Sequence, residues 1–389
     1  MTPEKNTHKI TSEANSVSRP LLARRAASKE SPMSTRKTML SLAAIVVVLA
    51  GPSLSAQGQS TLKAPPGAIL IKGAGATFPS LLYEQWFQKY HKLHPEVVVD
   101  YEPVGSGLGV ERFIGVGLEE GKRVDFGASD AAMSDTEIAK VERGVRLIPM
   151  TAGGVVLAYN LPGLDGRLKL SRAAYTGIFL GRIKNWNDPV IRECNPGLHL
   201  PKLTIATAAR SDGSGTTFAF TKHLDSVSPE WRNRYGAQTV VDWPGGPMRA
   251  KGNEGVATLI KHSEGSIGYV EFGFAQKLGL EAAALENKAG NYIVPTFDSA
   301  MAAMALAELP DNLRVFLPDP EGPESYPIVT LSWVLLYTNY ADSKKAEVIR
   351  ELFRWCLHQG QHFSGDLGYI PLPPKIVEKA AAALATISP

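Results

Sequence analysis

The sequence predicts an α/β fold. From Ala68 onward, short runs rich in β-branched residues alternate with glycine-containing turns and with amphipathic stretches of helical spacing, so strands and helices are expected to follow one another along the chain. The 389 residues, 44% of them hydrophobic, can bury a sizeable core, and this length suggests two globular units rather than one.

The first unit of the pattern begins with a predicted strand at residues 68–71, followed by the glycine turn GAGATFP at residues 73–79. Pro79 suits the first turn of a helix, because that position needs no backbone N–H. The helix carries apolar residues at helical spacing: Leu82, Trp86, Tyr90 and Leu93. We interpret this stripe as core, and Pro95 ends the helix.

The same alternation continues through the rest of the chain. The predicted strands are residues 97–101, 124–128, 154–159, 203–207 and 328–331. Helices are predicted after the loop 105–109, at residues 171–180 and after the loop 210–217. Ser134 and Glu137 have the spacing of a capping box and predict a further helix start. Prolines and glycines at residues 318–323 mark the clearest linker, so a domain boundary is expected near residue 320.

Residues 1–56 form a leader that differs from the rest of the chain. It holds eight basic and three acidic residues, an apolar run at residues 40–50, and small residues at positions 53–56 of the kind that a signal peptidase accepts. The apolar run is too short to span a bilayer, so a cleaved secretory signal is favoured over a retained anchor. We therefore expect a soluble protein outside the cytoplasm. The segment before Met33 is unusually long for a signal, which makes Met33 a second candidate for the true start.

Charge and cysteine content exclude several classes of function. The formal net charge is +3, but the leader alone carries +5, so the remainder is near −2 and lacks the basic footprint of a nucleic-acid-binding protein. Cys194 and Cys356 are the only cysteines, which excludes a disulfide scaffold and a cysteine-based metal site but leaves a single bridge between them open. His358 and His362 have the spacing of one helical turn, but no nearby carboxylate completes a metal set, and we interpret them as solvated surface.

Four predicted strand-to-helix junctions carry small, polar or glycine-rich turns: residues 73–78, 105–109, 129–130 and 210–217. In open α/β sheets such junctions meet at the carboxyl edge of the strands, where ligands bind. Helix N-termini present backbone N–H groups without intrahelical acceptors, and glycine allows close approach to a ligand. The same turns contain hydroxyl donors: Thr77, Ser106, Ser214 and Thr216. With Arg210, whose guanidinium can take two oxygens at once, the turns predict an anion-binding cradle.

Other interpretations of these turns are weaker. Any one of them alone is typical of an ordinary turn, and only the four together indicate a site. The turn at residues 73–79 lacks the third glycine of GxGxxG, and the sequence contains no GxxxxGK[ST] motif, which argues against a nucleotide site. Ser106 and Ser214 lie outside a GxSxG elbow and have no histidine near them in sequence, so we predict no catalytic residue.

Asp130 is the unexpected residue of this cradle, since a carboxylate repels an anion. It fits only if the ligand carries a proton to donate, as phosphate does near neutral pH and sulfate does not. The alternative is that Asp130 caps the following helix, a common role for aspartate.

Several segments together are similar to the signature segments of one protein family. They are residues 73–79 (GAGATFP), 124–130 (VDFGASD), 153–160 (GGVVLAYN) and 210–216 (RSDGSGT), with further matches at residues 181–186, 251–255 and 268–271. In this order they resemble the periplasmic phosphate-binding proteins of high-affinity phosphate ABC transporters. The resemblance extends over nearly all of the chain after the leader and is weakest in the C-terminal part. It departs from the family at residues 115–123, a longer connection than usual, and at residues 242–247.

The resemblance implies a two-lobe periplasmic binding protein fold of type II, with hinge strands between the lobes. It implies a first lobe from residues 66–151 and 323–389 and a second lobe from residues 152–322. The implied contacts to phosphate are Thr77, Phe78 through its backbone N–H, Ser106, Asp130, Arg210, Ser214, Gly215 through its backbone, and Thr216, with Asp212 orienting Arg210.

The resemblance also implies a function. We expect a periplasmic monomer that captures inorganic phosphate without cofactor, metal, nucleic acid or catalysis and delivers it to an ABC permease in the inner membrane. Two rivals are a binding protein for another oxyanion, such as sulfate or molybdate, and a secreted phosphatase that uses the same cradle. Asp130 argues against the first rival, and the missing metal set and nucleophile–base pair argue against the second.

Overall fold

The computed structural model describes residues 65–305 and 307–388. The leader predicted at residues 1–56, with Met33, lies outside these residues. The strands are β1 (Ile69–Gly75), β2 (Val97–Glu102), β3 (Phe126–Ser129), β4 (Val145–Asn160), β5 (Lys169–Leu170), β6 (Ala206–Arg210), β7 (Met248–Ala250), β8 (Ser266–Glu271), β9 (Glu281–Ala282), β10 (Ala284–Glu286), β11 (Tyr292–Ile293) and β12 (Val329–Tyr337). The α-helices are α1 (Ser80–Leu93), α2 (Ser106–Ile114), α3 (Asp135–Ile138), α4 (Arg172–Phe179), α5 (Pro189–Glu193), α6 (Gly215–Val227), α7 (Pro229–Arg234), α8 (Gly252–Lys261), α9 (Phe272–Lys277), α10 (Phe297–Met304), α11 (Ser343–Leu357) and α12 (Pro374–Leu384).

Most of the strands join in one mixed sheet. Its order is β2-β1-β3-β12-β4-β8-β6-β7, with β9 also paired to β4, while β11, β10 and β5 form a separate small sheet. β1 runs parallel to β2 and β3, and β6 runs parallel to β7 and β8. Between these two parallel groups, β12 and β4 run antiparallel to each other and to their outer neighbours.

The long strand β4 links two lobes. Up to Gly154 it pairs with β12, and from Val155 to Asn160 it pairs with β8. The first lobe is built on β2, β1, β3, β12 and the first part of β4, and the second lobe on the remaining part of β4 with β8, β6 and β7. A second crossing lies just before β12, where the Val155 N–H donates to the Ile328 carbonyl at 2.9 Å. The expected two-lobe α/β fold of type II, with hinge strands, is therefore confirmed, while the lobe boundaries at 151/152 and 322/323 stay predictions.

β4 is much longer than the strand predicted at residues 154–159. It is buried without interruption from residue 147 to residue 159, as expected of a central strand covered on both faces. The first half of β4 was not predicted from the sequence. It contains Pro149, which has no backbone N–H to pair with a neighbouring strand and therefore normally argues against a central strand. A register shift opposite Ser332 and Trp333, between Pro149 and Thr151, accommodates the proline as a local bulge.

Local signals predicted some of the helix boundaries correctly. α1 begins directly after Pro79, and Ser134 and Glu137 form both hydrogen bonds of the capping box at α3. α4 ends just before Gly181, which adopts a left-handed φ of 70°. Each of these signals acts within one helical turn, which is why the sequence alone reveals it.

Several local predictions are wrong. Residues 73–75 of the predicted turn 73–78 belong to β1, and residues 215–217 of the predicted loop 210–217 belong to α6. β6 starts at Ala206, three residues later than predicted, because residues 203–205 pair instead with residues 184–186. The predicted loop at residues 105–109 is mostly the first turn of α2, which begins at Ser106. Leu93 is 62% exposed at the end of α1, so it does not belong to the core stripe formed by the rest of that helix.

Candidate functional site

The four predicted turns lie at strand-to-helix junctions. Thr77 follows β1, Ser106 opens α2 after β2, Asp130 follows β3, and Arg210 ends β6 before α6. Since β1 is parallel to both β2 and β3, their carboxyl ends share one edge of the first lobe. All eight predicted contact residues are buried: Thr77, Phe78, Ser106, Asp130, Arg210, Ser214, Gly215 and Thr216.

The two lobes meet at these turns in a closed conformation. The Gly107 N–H in the first lobe donates to the Gly213 carbonyl in the second at 2.9 Å. Gly215, the first residue of α6, lies so close to the first lobe that a Cβ atom there would be 2.6 Å from Asp130 Cβ and 2.6 Å from Ser106 Oγ. The structure thus brings the predicted residues of both lobes into one cluster.

The N-terminus of α6 points its free N–H groups into this cluster. Ser214 is the N-cap residue, and its Oγ accepts the Thr217 N–H at 3.0 Å. The N–H groups of Gly215 and Thr216 have no acceptor within the helix, because an α-helix leaves its first N–H groups unpaired. With 13 residues, α6 also places the positive end of its dipole here, which favours an anion.

Arg210 is held rigidly by Asp212. Its Nε donates to Asp212 Oδ1 at 2.8 Å and its Nη2 to Oδ2 at 2.5 Å, and the Arg210 side chain is only 1% exposed. The Gly252 N–H also donates to Asp212 Oδ1, at 3.1 Å, and fixes the carboxylate in turn. One edge of the guanidinium is therefore occupied by Asp212, and the two terminal nitrogens, Nη1 and Nη2, keep hydrogens for a ligand.

Asp130 is a buried carboxyl group beside these donors. Its Oδ1 accepts the Ser332 hydroxyl at 2.7 Å, and its Oδ2 is 3.5 Å from Ser106 Oγ. Burial raises the pKa of Asp130 to about 7, against the lowering effects of Ser332, Arg210 and Ser106. With a pKa of about 7 the group is partly ionised near neutral pH, and its carboxylate form can accept a hydrogen bond from a protonated ligand. The alternative that Asp130 caps α3 is wrong, because Ser134 is the N-cap of that helix.

Thr77 and Phe78 occupy the turn between β1 and α1. The Thr77 Oγ1 accepts hydrogen bonds from Asn253 in the second lobe. The Phe78 ring packs against Gly153, where a Cβ atom would lie 2.8 Å from it, and the Phe78 carbonyl accepts the Tyr369 hydroxyl at 2.6 Å. These contacts fix the backbone whose N–H was predicted to face the ligand.

Several residues that contact the predicted site were missed by the sequence analysis, and two of them bind its side chains from distant parts of the chain. Ser332 binds Asp130 from the middle of β12, and Asn253 at the start of α8 contacts both Thr77 and Thr216. Ser332 is the single serine in the apolar strand VTLSWVLLY. Because a buried polar group requires a hydrogen-bond partner, its position in this strand could have indicated a contact with the site. Asn253 lies in the matched segment at residues 251–255, but its partners are far away in sequence.

Both cysteines and the histidine pair His358 and His362 lie outside this cluster. Cys194 and Cys356 are buried free thiols, so the bridge that the sequence left open is not formed, and His358 and His362 are exposed as expected. Across the described ranges, no group of three or more histidine, cysteine or acidic side chains is placed to hold a metal ion. None of the helices within residues 65–305 and 307–388 is long and apolar enough to cross a membrane.

Comparisons with known proteins agree on one family. Residues 51–355 match the model of the PBP superfamily domain. The phosphate-binding protein PstS of Pasteurella multocida (strain Pm70) is 39% identical over 326 residues, covering 83% of this chain and 92% of that protein. The protein of the same name from Xylella fastidiosa (strain Temecula1) is 36% identical and covers 82% of this chain and 87% of its own.

The fold has matching solved structures. One is a high-affinity periplasmic phosphate-binding protein (PfluDING) bound with phosphate, with a TM-score of 0.66, 22% identity, and coverage of 81% of this chain and 93% of the other. At that identity the likeness concerns the fold alone. The sequence matches show the family as well as the fold: this chain belongs to the family of PstS phosphate-binding proteins.

Proposed function

We propose that this protein captures inorganic phosphate between its two lobes and delivers it to an ABC importer in the inner membrane. The single observation that carries the choice of ligand is Asp130, a buried carboxyl group in a cluster otherwise lined by donors. Relatives named phosphate-binding protein PstS, aligned over most of the chain, support the same ligand.

The cluster suits an anion because of local dipoles rather than net charge. Arg210 brings one positive charge, but Asp212 offsets it through two hydrogen bonds. The remaining stabilisation comes from the N–H groups at the start of α6 and from the hydroxyls of Ser106 and Thr216, which are held in place by hydrogen bonds from Asp130 N–H and Asn253 Nδ2. Preorganised donors of this kind replace the hydration shell of the ion without reorganisation.

Asp130 supplies selectivity among oxyanions. As a carboxylate it accepts a hydrogen bond from a protonated oxygen of the bound phosphate, whereas sulfate would place an unprotonated oxygen against it. Sites that leave a buried polar group unpaired by the wrong ligand reach roughly 10⁴-fold rejection. This disfavours a binding protein for sulfate or molybdate.

We infer that the protein performs no reaction on its ligand. A phosphatase without a metal needs a nucleophile with a base, and in the candidate site Ser106 Oγ lies 3.5 Å from Asp130 Oδ2, at the limit of a hydrogen bond. Asp130 already accepts the Ser332 hydroxyl through its other oxygen. Hydrolysis of a phosphate monoester by the purified protein would contradict this inference.

The cellular setting is part of the same proposal. The leader at residues 1–56 directs export to the periplasm, where the protein acts as a monomer without nucleic acid or a cofactor. The permease is the expected protein partner. Size-exclusion chromatography with light scattering tests the monomer, and cell fractionation tests the location.

Calorimetric titration tests the proposed ligand directly. Phosphate should bind the purified protein with a one-to-one stoichiometry, and sulfate at the same concentration should give no saturable heat. If sulfate or molybdate binds with an affinity equal to or greater than that of phosphate, the proposal that phosphate is the ligand is contradicted.

A further inference from the structure

Asn253 bridges the two lobes inside the candidate site. It is fully buried as the second residue of α8, and its Nδ2 donates to Thr77 Oγ1 in the first lobe at 3.0 Å and to Thr216 Oγ1 in the second at 3.1 Å. Its Oδ1 accepts the Glu271 N–H at 3.0 Å. Because a backbone N–H can only donate, this bond fixes which end of the amide faces the two threonines.

These contacts use up the accepting capacity of both hydroxyls. A hydroxyl has one hydrogen to donate and two lone pairs. Thr77 Oγ1 accepts both the Asn253 Nδ2 and the Asn253 backbone N–H, the latter at 3.1 Å. Thr216 Oγ1 accepts Asn253 Nδ2 and lies 3.4 Å from Arg210 Nη1. Each threonine is left with only its own hydrogen, directed away from these donors.

We propose that Asn253 is a positioning residue that fixes the Thr77 and Thr216 hydroxyls as donors to the bound anion. This inference rests on the proposed function and deepens it. Since the lone pairs of both hydroxyls are occupied, neither threonine can accept the proton of the bound phosphate, and that proton is directed toward the carboxyl group of Asp130. Asn253 thereby sets the orientation of the ligand and joins the lobes that close around it.

The test replaces Asn253 and measures phosphate affinity by calorimetry. Asn253→Ala frees both hydroxyls to rotate, and the affinity should fall at least about tenfold, the scale of one lost hydrogen bond. Asn253→Asp keeps the size and the acceptor for the Glu271 N–H but lacks the Nδ2 donor, so it should also lose affinity and serves if the alanine variant fails to fold. Asn195→Ala is the matched control.

Asn195 is also a buried asparagine, but its side chain bonds to the backbone of Lys169 and Ile191 away from the site. Its replacement should lower the thermal midpoint and leave phosphate affinity unchanged. If both alanine variants lower affinity equally, the effect is general destabilisation and the proposal is overturned.

A double-mutant cycle separates positioning from structure. Thr77→Val removes one hydroxyl on which Asn253 acts. The fold-loss of phosphate affinity caused by Asn253→Ala should therefore be at least about threefold smaller in the Thr77→Val protein than in the original protein. Equal losses in both backgrounds, or affinity within twofold of the original protein for folded Asn253→Ala, would overturn the inference. Failure of the unmodified protein to bind phosphate would instead refute the proposed function itself.

Discussion

Gly215 gives the sharpest test of lobe closure. Its backbone is helical, so Gly215→Ala introduces no backbone strain and alanine suits a helix better than glycine. The added Cβ would lie 2.6 Å from Asp130 Cβ and 2.6 Å from Ser106 Oγ, both in the opposite lobe. Carbon atoms in contact normally lie about 3.5–4.0 Å apart, so the lobes must separate by about 1 Å to admit the methyl group.

The cost of this separation falls on binding and not on folding. Overpacking of a close interface costs about 1–3 kcal/mol, which corresponds to roughly a 5- to 150-fold loss of phosphate affinity. Calorimetry measures the affinity, and thermal unfolding without phosphate should show an unchanged or slightly higher midpoint.

The control is Gly121→Ala, because a Cβ atom at Gly121 would meet no heavy atom within 4 Å. It should bind phosphate like the original protein. If Gly215→Ala also binds with unchanged affinity, the closed contact between α6 and Asp130 is not the binding conformation, and the proposed site is wrong.

Three further predictions concern the charge, the motion and the pH response of the site. Arg210→Lys keeps the charge but cannot make both bonds to Asp212, so phosphate affinity should fall at least about tenfold, and an unchanged dissociation constant would remove Arg210 from the site. Phosphate should reduce the radius of gyration in small-angle X-ray scattering, since Thr77 and Arg210 belong to different lobes, and equal radii with and without phosphate would count against closure. The pKa of Asp130 is about 7 in the folded protein, raised from 3.8. Between these two pH values the folded protein holds a proton on Asp130 that the unfolded chain has released, so the free energy of unfolding falls as the pH rises from 3.8 to 7. Asp130→Asn cannot ionise and should gain stability relative to the original protein over that range in urea unfolding without phosphate, whereas a difference independent of pH would contradict the raised pKa.

The sequence revealed those parts of the site that depend on local signals. The turns at residues 73–79 and 210–217 combine glycines, hydroxyls and Arg210 within a few residues, so their capacity to donate hydrogen bonds to an anion can be read from the chain. The pairing of Arg210 with Asp212 was implied by the family resemblance, and the structure shows it. The resemblance to a known family then joined turns that are far apart in sequence.

The parts that depend on distant contacts were not predictable. Ser332 meets Asp130 across 202 positions, and Asn253 meets Thr77 across 176. Their roles arise only when β12 lies beside β3 and when the lobes close. The first half of β4 was missed for the same reason, since pairing with β12 overrides the unfavourable signal of Pro149.

Competition binding tests the central claim that Asp130 recognises the proton of phosphate. Phosphate, arsenate and sulfate are compared at neutral pH on the original protein and on Asp130→Asn, which keeps the shape and the Oδ1 acceptor for Ser332 but removes the charge and supplies an N–H donor. Arsenate, which also carries a proton, should compete with phosphate in the original protein, while sulfate should not. In the variant, sulfate should gain markedly relative to phosphate. A folded Asp130→Asn variant with an unchanged phosphate-to-sulfate ratio would contradict the account.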